Sequence, residues 1–310
     1  MTLHARAFRA SVFWTLGLLF LGSVVHATES SLACPDWPTC FGTMVPEMTG
    51  GVFWEHLHRL VAGGLLLLWG LATWLAHQEA DEHPWIVRAS LAGVGLLVLQ
   101  SVFGGLTVIY RLPDLVSTTH LALAFSFLAL ATVLASATGA TSPSEAEEPA
   151  GSVAPDDASA IRGFAAVAAG LVFVQSVLGA LVRHMDAGMA CPDAPFCLGQ
   201  VVPPLVNAPI TVHFLHRVLG VLVAVAVCAL AYRVLGSSLP HRVRRWAAAA
   251  AALVLTQVGL GFASVLSVLA VAPVSLHTLV AASLLAVLVH VAVAAEPVHH
   301  FRPAKVPAPA

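Results

Sequence analysis

Cys34-Pro-Asp-Trp-Pro-Thr-Cys40, followed by Glu55-His-Leu-His-Arg59 and then by His120, decides how this chain is read, because the same series returns. Cys191-Pro-Asp-Ala-Pro-Phe-Cys197 is followed by His213-Phe-Leu-His-Arg217 and by His277. The pairs 34/191, 40/197 and 120/277 are 157 residues apart, and 58/216 are 158 apart. Other landmarks keep step. Gly22 and Gly179 each lie twelve residues before the first cysteine of their copy, and Gln100 and Gln257 each lie twenty before the last histidine. The chain is an internal repeat with one histidine pair per copy.

Composition places the repeat in a membrane. Of the 310 residues, 58% are hydrophobic and 10% charged, against about 25% charged in a soluble domain. Roughly 20 apolar residues span the hydrocarbon core as a helix. Eight such stretches are present, at 9–27, 57–76, 86–109, 119–138, 161–182, 212–235, 246–269 and 274–294. They are continuous rather than alternating, so they read as helices and not as barrel strands. The expected fold is an all-α integral membrane protein: two tandem four-helix bundles related by a parallel repeat, since each copy has an even number of spans. Residues 1–138 form the first half and 161–294 the second. Between them 139–160, rich in Ser, Pro, Glu and Ala, reads as a polar linker, and 295–310 as a disordered tail. The first span has the form of a signal peptide, with Arg6, Arg9 and a Val25-His26-Ala27 end. Its Gly22 is matched mid-chain by Gly179, so it is read as a retained helix.

Orientation follows from the basic residues. With both termini in the cytoplasm, ten Lys and Arg fall inside and four (Arg59, Arg111, Arg183, Arg217) fall at the outer side, the bias expected of cytoplasmic loops. The linker is then cytoplasmic and the cysteine loops face the oxidising side of a bacterial inner membrane, where a disulfide within each loop is expected. Zinc is the alternative, but five intervening residues is not its usual spacing. Cys228, inside the sixth span, reads as packing. The net charge of −2 says little about partners; no nucleic-acid partner is expected, the bilayer is the expected surroundings, and a homo-oligomer is left open.

Fifteen histidines are present. His58, His120, His216 and His277 stand out, each near the outer end of an even-numbered span. Ionisable side chains in such spans are functional candidates. Two imidazoles on facing helices of a bundle can hold one iron from both sides of a flat macrocycle; zinc would want more ligands than each half offers. Glu55 lies one turn from His58 on the same helix face. It suits a proton acceptor or a stabiliser of developing positive charge; a helix N-terminal acid favoured by the dipole is the plainer reading. His213 stands at this place in the second copy, which suggests chemistry in the first half and a permanent redox cofactor in the second. His56 is turned about 200° from the His58 face and reads as no ligand of the same iron. Arg59 and Arg217 are candidates for pairing with heme propionates, or for snorkelling to the interface. His290 reads as a hydrogen-bonded structural residue, and His26 and His184 as wall residues.

Together the eight spans, the C-P-D-W-P-x-C loop, E-x-x-H-R and a histidine on every even-numbered helix resemble the heme A synthase family over nearly the whole chain. The resemblance implies an oxidoreductase that converts the C8 methyl of heme O to the formyl group of heme A for cytochrome oxidase assembly, with oxygen taken from water. It implies His216 and His277 as axial ligands of heme b, His58 and His120 as ligands of the substrate heme, Glu55 as the catalytic carboxylate and Cys34/Cys40 as a functional pair. Cys191/Cys197 is not universal in the family. A membrane electron acceptor, and heme O synthase as a partner, are further implied. Two other readings compete: a di-heme b-type electron-transfer protein, and a membrane thiol–disulfide exchanger. A transporter built on parallel repeats would place its polar groups nearer mid-membrane.

Overall fold

The computed structural model describes residues 1–80, 83–139 and 155–295. These residues form eight long helices: α1 (Leu3–Ala27), α2 (Gly50–Glu79), α3 (Pro84–Ile109), α4 (Asp114–Gly139), α5 (Pro155–His184), α6 (Ala208–Leu235), α7 (His241–Leu266) and α8 (Val271–Ala294). A short 3₁₀ turn, Ala187–Met189, precedes α6. All eight helices are long and apolar enough to cross a membrane, so the chain is a multi-pass membrane protein. The β pairing among the described residues consists of two isolated bridges, Cys40 to Thr43 and Cys197 to Gln200.

Most helices exceed the apolar stretches that predict them. α2 starts at Gly50, seven residues before the expected 57, and α5 starts at Pro155 within the expected linker. Hydropathy marks only the part of a helix that lies in hydrocarbon, whereas backbone hydrogen bonding carries the helix on into polar surroundings. α7 differs the other way, stopping at Leu266 where 269 was expected. Val268 and Leu269 adopt φ of 54° and 61°, a left-handed reversal that ends the helix. Residues 140–154 of the linker and 296–310 of the tail lie outside the described residues.

Local chemistry sets several boundaries. Pro84 opens α3 at a position where its missing N–H costs nothing. Asn207 caps α6 by accepting from the Ile210 N–H at 3.0 Å. Each helix packs on its chain neighbour within the sets α1–α4 and α5–α8, and α1 closes on α4 as α5 closes on α8. The two sets meet through α1, α4, α5 and α8. α2 and α3 therefore flank one side and α6 and α7 the other. In lipid, helix association rests on close packing rather than on burial from water. Trp69 illustrates this: fully buried, it lies so flat on Gly93 that an added Cβ there would sit 2.5 Å from the indole, and its N–H donates to the Ser90 carbonyl at 2.9 Å. Phe8 and Phe127 meet the same ring at 5.1 and 4.7 Å between centroids.

The α1/α4/α5/α8 centre holds polar contacts as well. Ser23 and Thr278 meet at 3.1 Å, the His26 and His184 rings lie 5.3 Å apart, and the Thr118 hydroxyl is 3.0 Å from His184 Nδ1. His290 bonds through Nδ1 to the Ser136 hydroxyl at 2.8 Å, the structural role expected of it.

Candidate functional site

The four singled-out histidines are each backed by a glycine on the preceding helix. An added Cβ would lie 3.0 Å from His58 at Gly22, 3.0 Å from His120 at Gly104, 2.8 Å from His216 at Gly179 and 3.2 Å from His277 at Gly261. All four probes meet the same imidazole atom, Cε1. A hydrogen in place of a side chain lets each ring lie against the neighbouring helix. The glycines thus fix where the rings stand, and they recur at the repeat spacing.

His216 and His277 face one another with ring centroids 6.4 Å apart and planes at 67°. Metal–imidazole bonds of about 2 Å on either side of one ion, with half a ring beyond each, make roughly 6 Å. The separation therefore fits two axial ligands of a single iron. His58 and His120 are likewise within electrostatic reach of each other. His120 Nδ1 donates to the Gln100 carbonyl at 3.0 Å, which sets the tautomer and puts the lone pair on Nε2, where the Gln100 side-chain amide now stands 3.4 Å away and a metal would replace it. The Nδ1 atoms of His58 and His277 are buried without a hydrogen-bond partner. Among the described residues no three or more His, Cys, Asp or Glu gather as they would around a small metal ion. Paired imidazoles with glycine backing suit a flat iron macrocycle better.

Above each pair lies a disulfide loop. Cys34–Cys40 and Cys191–Cys197 are bonded, with Cα separations of 4.8 and 4.6 Å. The aspartate in each motif ties its loop together. Asp36 accepts from the Phe41 and Gly42 N–H groups at 2.6 and 2.9 Å and from the Thr39 hydroxyl, and Asp193 from Leu198 and Gly199 at 2.7 and 2.6 Å. Those donations favour the ionised form. The Thr39 hydroxyl and the Gly42 amide hold the Asp36 carboxyl below its usual range, and the Gly199 amide does the same for Asp193. Phe41–Gly42 and Leu198–Gly199 share φ values near 54° and 72°, so the loops correspond residue by residue.

Arg59 and Arg217 clamp these loops to the helices. Arg59 Nη1 donates to the carbonyls of Asp36 and Thr39 at 2.8 and 2.6 Å, and Arg217 Nη1 to those of Asp193 and Phe196 at 2.8 and 2.5 Å. The second guanidinium nitrogen separates the copies. In the first, Arg59 Nη2 pairs with Glu55 Oε1 at 2.5 Å, while Glu55 Oε2 accepts from the Cys34 N–H at 2.8 Å. In the second, His213 donates through Nδ1 to the Ala187 carbonyl at 2.8 Å, and Arg217 Nη2 turns to the Cys191 carbonyl at 2.6 Å. Glu55 is 4% exposed, so its carboxylate is held inside the protein by a guanidinium and a backbone amide, directly below the first disulfide.

His56 is also buried, and its Nδ1 has no hydrogen-bond partner. One polar neighbour escaped the sequence reading: the Gln175 amide nitrogen lies 3.0 Å from His216 Nδ1 and donates to the His216 carbonyl at 2.8 Å. Leu18 stands at that register in the first copy. A lone amide in an apolar span was the available signal.

Comparison with known proteins assigns the chain to a family. The sequence pattern of the COX15-CtaA family, described as cytochrome oxidase assembly protein, matches residues 47–289. The chain is 32% identical over 263 residues to a heme A synthase of Symbiobacterium thermophilum, covering 83% of this chain and 84% of that protein. It is 30% identical over 254 residues to the heme A synthase of Halalkalibacterium halodurans (81% and 83% covered), and 30% over 239 residues to that of Shouchella clausii (74% and 76%). The chain belongs to the COX15-CtaA family of cytochrome oxidase assembly proteins.

Proposed function

We propose that this protein is a heme A synthase, which oxidises a ring methyl of heme O to a formyl group, and that its two halves divide the work. His58 and His120 hold the substrate heme in the first half. His216 and His277 hold a resident heme b in the second. The observation that carries the division is Glu55, a buried carboxylate one turn from His58 and replaced by His213 in the other half. Heme b, where bound, supplies a one-electron redox centre.

The chain's own residues supply position and charge. The glycine-backed imidazoles fix the plane of the substrate ring. Glu55, pinned by Arg59 and the Cys34 amide, presents a carboxylate at the methyl edge. There it accepts a proton as the C–H bond is broken and stabilises positive charge developing at that carbon. In balance, methyl plus one water gives formyl with release of four protons and four electrons. A membrane electron acceptor takes the electrons, and the oxygen comes from water. The disulfide end faces the periplasm, with both termini in the cytoplasm; heme O synthase is the partner that delivers substrate. Pairing of Arg59 and Arg217 with propionates would compete with bonds they already make, so we assign these arginines to their loops.

Pigment extraction tests the division. His58→Ala should abolish heme A while the resident heme stays, and His216→Ala should remove the resident heme. Two permanent b hemes and no heme A in the wild-type protein, expressed beside heme O synthase, would instead favour an electron carrier.

A further inference from the structure

The first disulfide loop makes a contact beyond its clamp. From its Arg59 clamp on α2 it extends Trp37 to α3, where the indole lies flat on Gly105. A Cβ added at Gly105 would meet three indole atoms at 2.7–3.1 Å. Both anchors adjoin the histidine pair: Arg59 follows His58, and Gly105 follows Gly104, which backs His120. The loop therefore bridges α2 and α3 across the mouth between His58 and His120. At the same register the second copy has Ala194 for Trp37 and Phe262 for Gly105; the aromatic side chain of its loop, Phe196, stands two residues further on and is 46% exposed.

A second indole marks the same seam lower down. Trp69 on α2 lies flat on Gly93 of α3, twelve residues or about 18 Å along the helix from Gly105. Its counterparts are Val227 and Ala250. At this level Trp69 stands against α3 where the smaller Val227 and Ala250 meet between α6 and α7. The two indoles differ in freedom. Trp69 is fully buried and hydrogen-bonded within the bundle, whereas Trp37 is 38% exposed and carried by a loop.

We propose that Trp37 is the positioning residue that closes the substrate heme site, and that the substrate heme passes through the α2–α3 seam beneath it. The inference rests on the assignment of His58 and His120 to the substrate. It accounts for a difference the two halves must have: one exchanges its heme at each turnover, and the other keeps it. Trp37 stacked on Gly105 shuts the disulfide end of the seam, and lifting of the loop side chain opens it. Trp69 stays as the fixed lower post.

The test is exchange, not turnover. The full-length protein, loaded with heme O in detergent, is mixed with excess apo-globin, and heme loss from each half is followed by its spectrum, with His58→Ala identifying the first-half signal. Trp37→Ala should speed loss from the first half by about tenfold or more, Trp37→Phe by less, and neither should alter the second half or the melting temperature. Adding Gly105→Phe to Trp37→Ala, the pair of residues the second copy carries, should slow the loss again. A first-half rate unchanged in Trp37→Ala, or equal acceleration in both halves, overturns the lid. If His58→Ala leaves heme content and exchange as they were, the substrate assignment fails and the lid falls with it. A loaded, His58-dependent site indifferent to Trp37 sinks the lid alone.

Discussion

Set side by side, the two disulfide loops are nearly the same object, and the residues beneath them are not. Each loop is closed by a cystine, tied by its aspartate and clamped by the arginine that follows His58 or His216. Under the first loop a carboxylate takes up one arginine nitrogen and the Cys34 amide; under the second an imidazole looks away to Ala187, and the freed arginine nitrogen moves to a cysteine carbonyl. Exchanging one side chain redirected two hydrogen bonds and left the scaffold alone. The loop is thus a general support, and the group it holds decides what the half does. A carboxylate in this setting needs its guanidinium close by, because an uncompensated charge away from water costs several kcal/mol.

Swapping residues between the copies tests that view. Glu55→His, which gives the first half the second half's residue, should leave heme bound but cut heme A formation by about 10²-fold or more, as expected for loss of an acid–base group. Extracted heme A per bound heme measures it, and unchanged output would end the case for Glu55. Next in size is Gly179→Ala, whose added methyl would stand 2.8 Å from His216. Resident heme content should fall well below that of Gly261→Ala, where the gap is 3.2 Å, and absorbance per mole of protein reports it.

Smaller effects separate the loops from each other. Opening either cystine by Cys→Ser removes a short-loop constraint of roughly 2 kcal/mol. Paired melting curves should therefore shift alike for Cys34→Ser and Cys191→Ser. Activity should fall mainly in Cys34→Ser, because Glu55 hangs from that residue's amide. Equal activity losses would contradict the difference between halves. The least effect is expected of pH on the Asp36 tie. Its folded carboxyl ionises below the usual value of 3.8, so its contribution is complete above that pH and fades only as pH falls through the lower folded value. Melting temperature of the wild type relative to Asp36→Asn should be flat from about pH 5 to 8, narrowing only in stronger acid.

The placing of the four histidines was legible in the sequence because the repeat states it twice. Single histidines in an apolar chain say little; four in register, with Gly22 and Gly179 in step, gave the helices and the faces. Helix ends were less legible, since hydropathy stops where hydrocarbon stops, and so Glu55 lies inside α2 rather than at its edge. Arg59 and Arg217 were open between propionate and interface roles, because loop carbonyls twenty or more residues away are not visible in a linear motif. The Trp37–Gly105 contact was hidden for the same reason. It joins positions 68 residues apart, and the glycine shows its purpose only once the indole is on it.

His120 and His277 ride on α4 and α8, which pack against each other at the centre, while His58 and His216 ride on flanking helices. Two halves that share such a centre are therefore constrained unevenly. A change in α4 or α8 disturbs both copies at once, whereas α2, α3, α6 and α7 are free to drift apart. The exchanges at Glu55/His213, Gly105/Phe262 and Trp69/Val227 fall on those peripheral helices, whereas Leu18/Gln175 falls on α1 and α5 at the centre. Divergence of the two halves would then show mostly at the flanks.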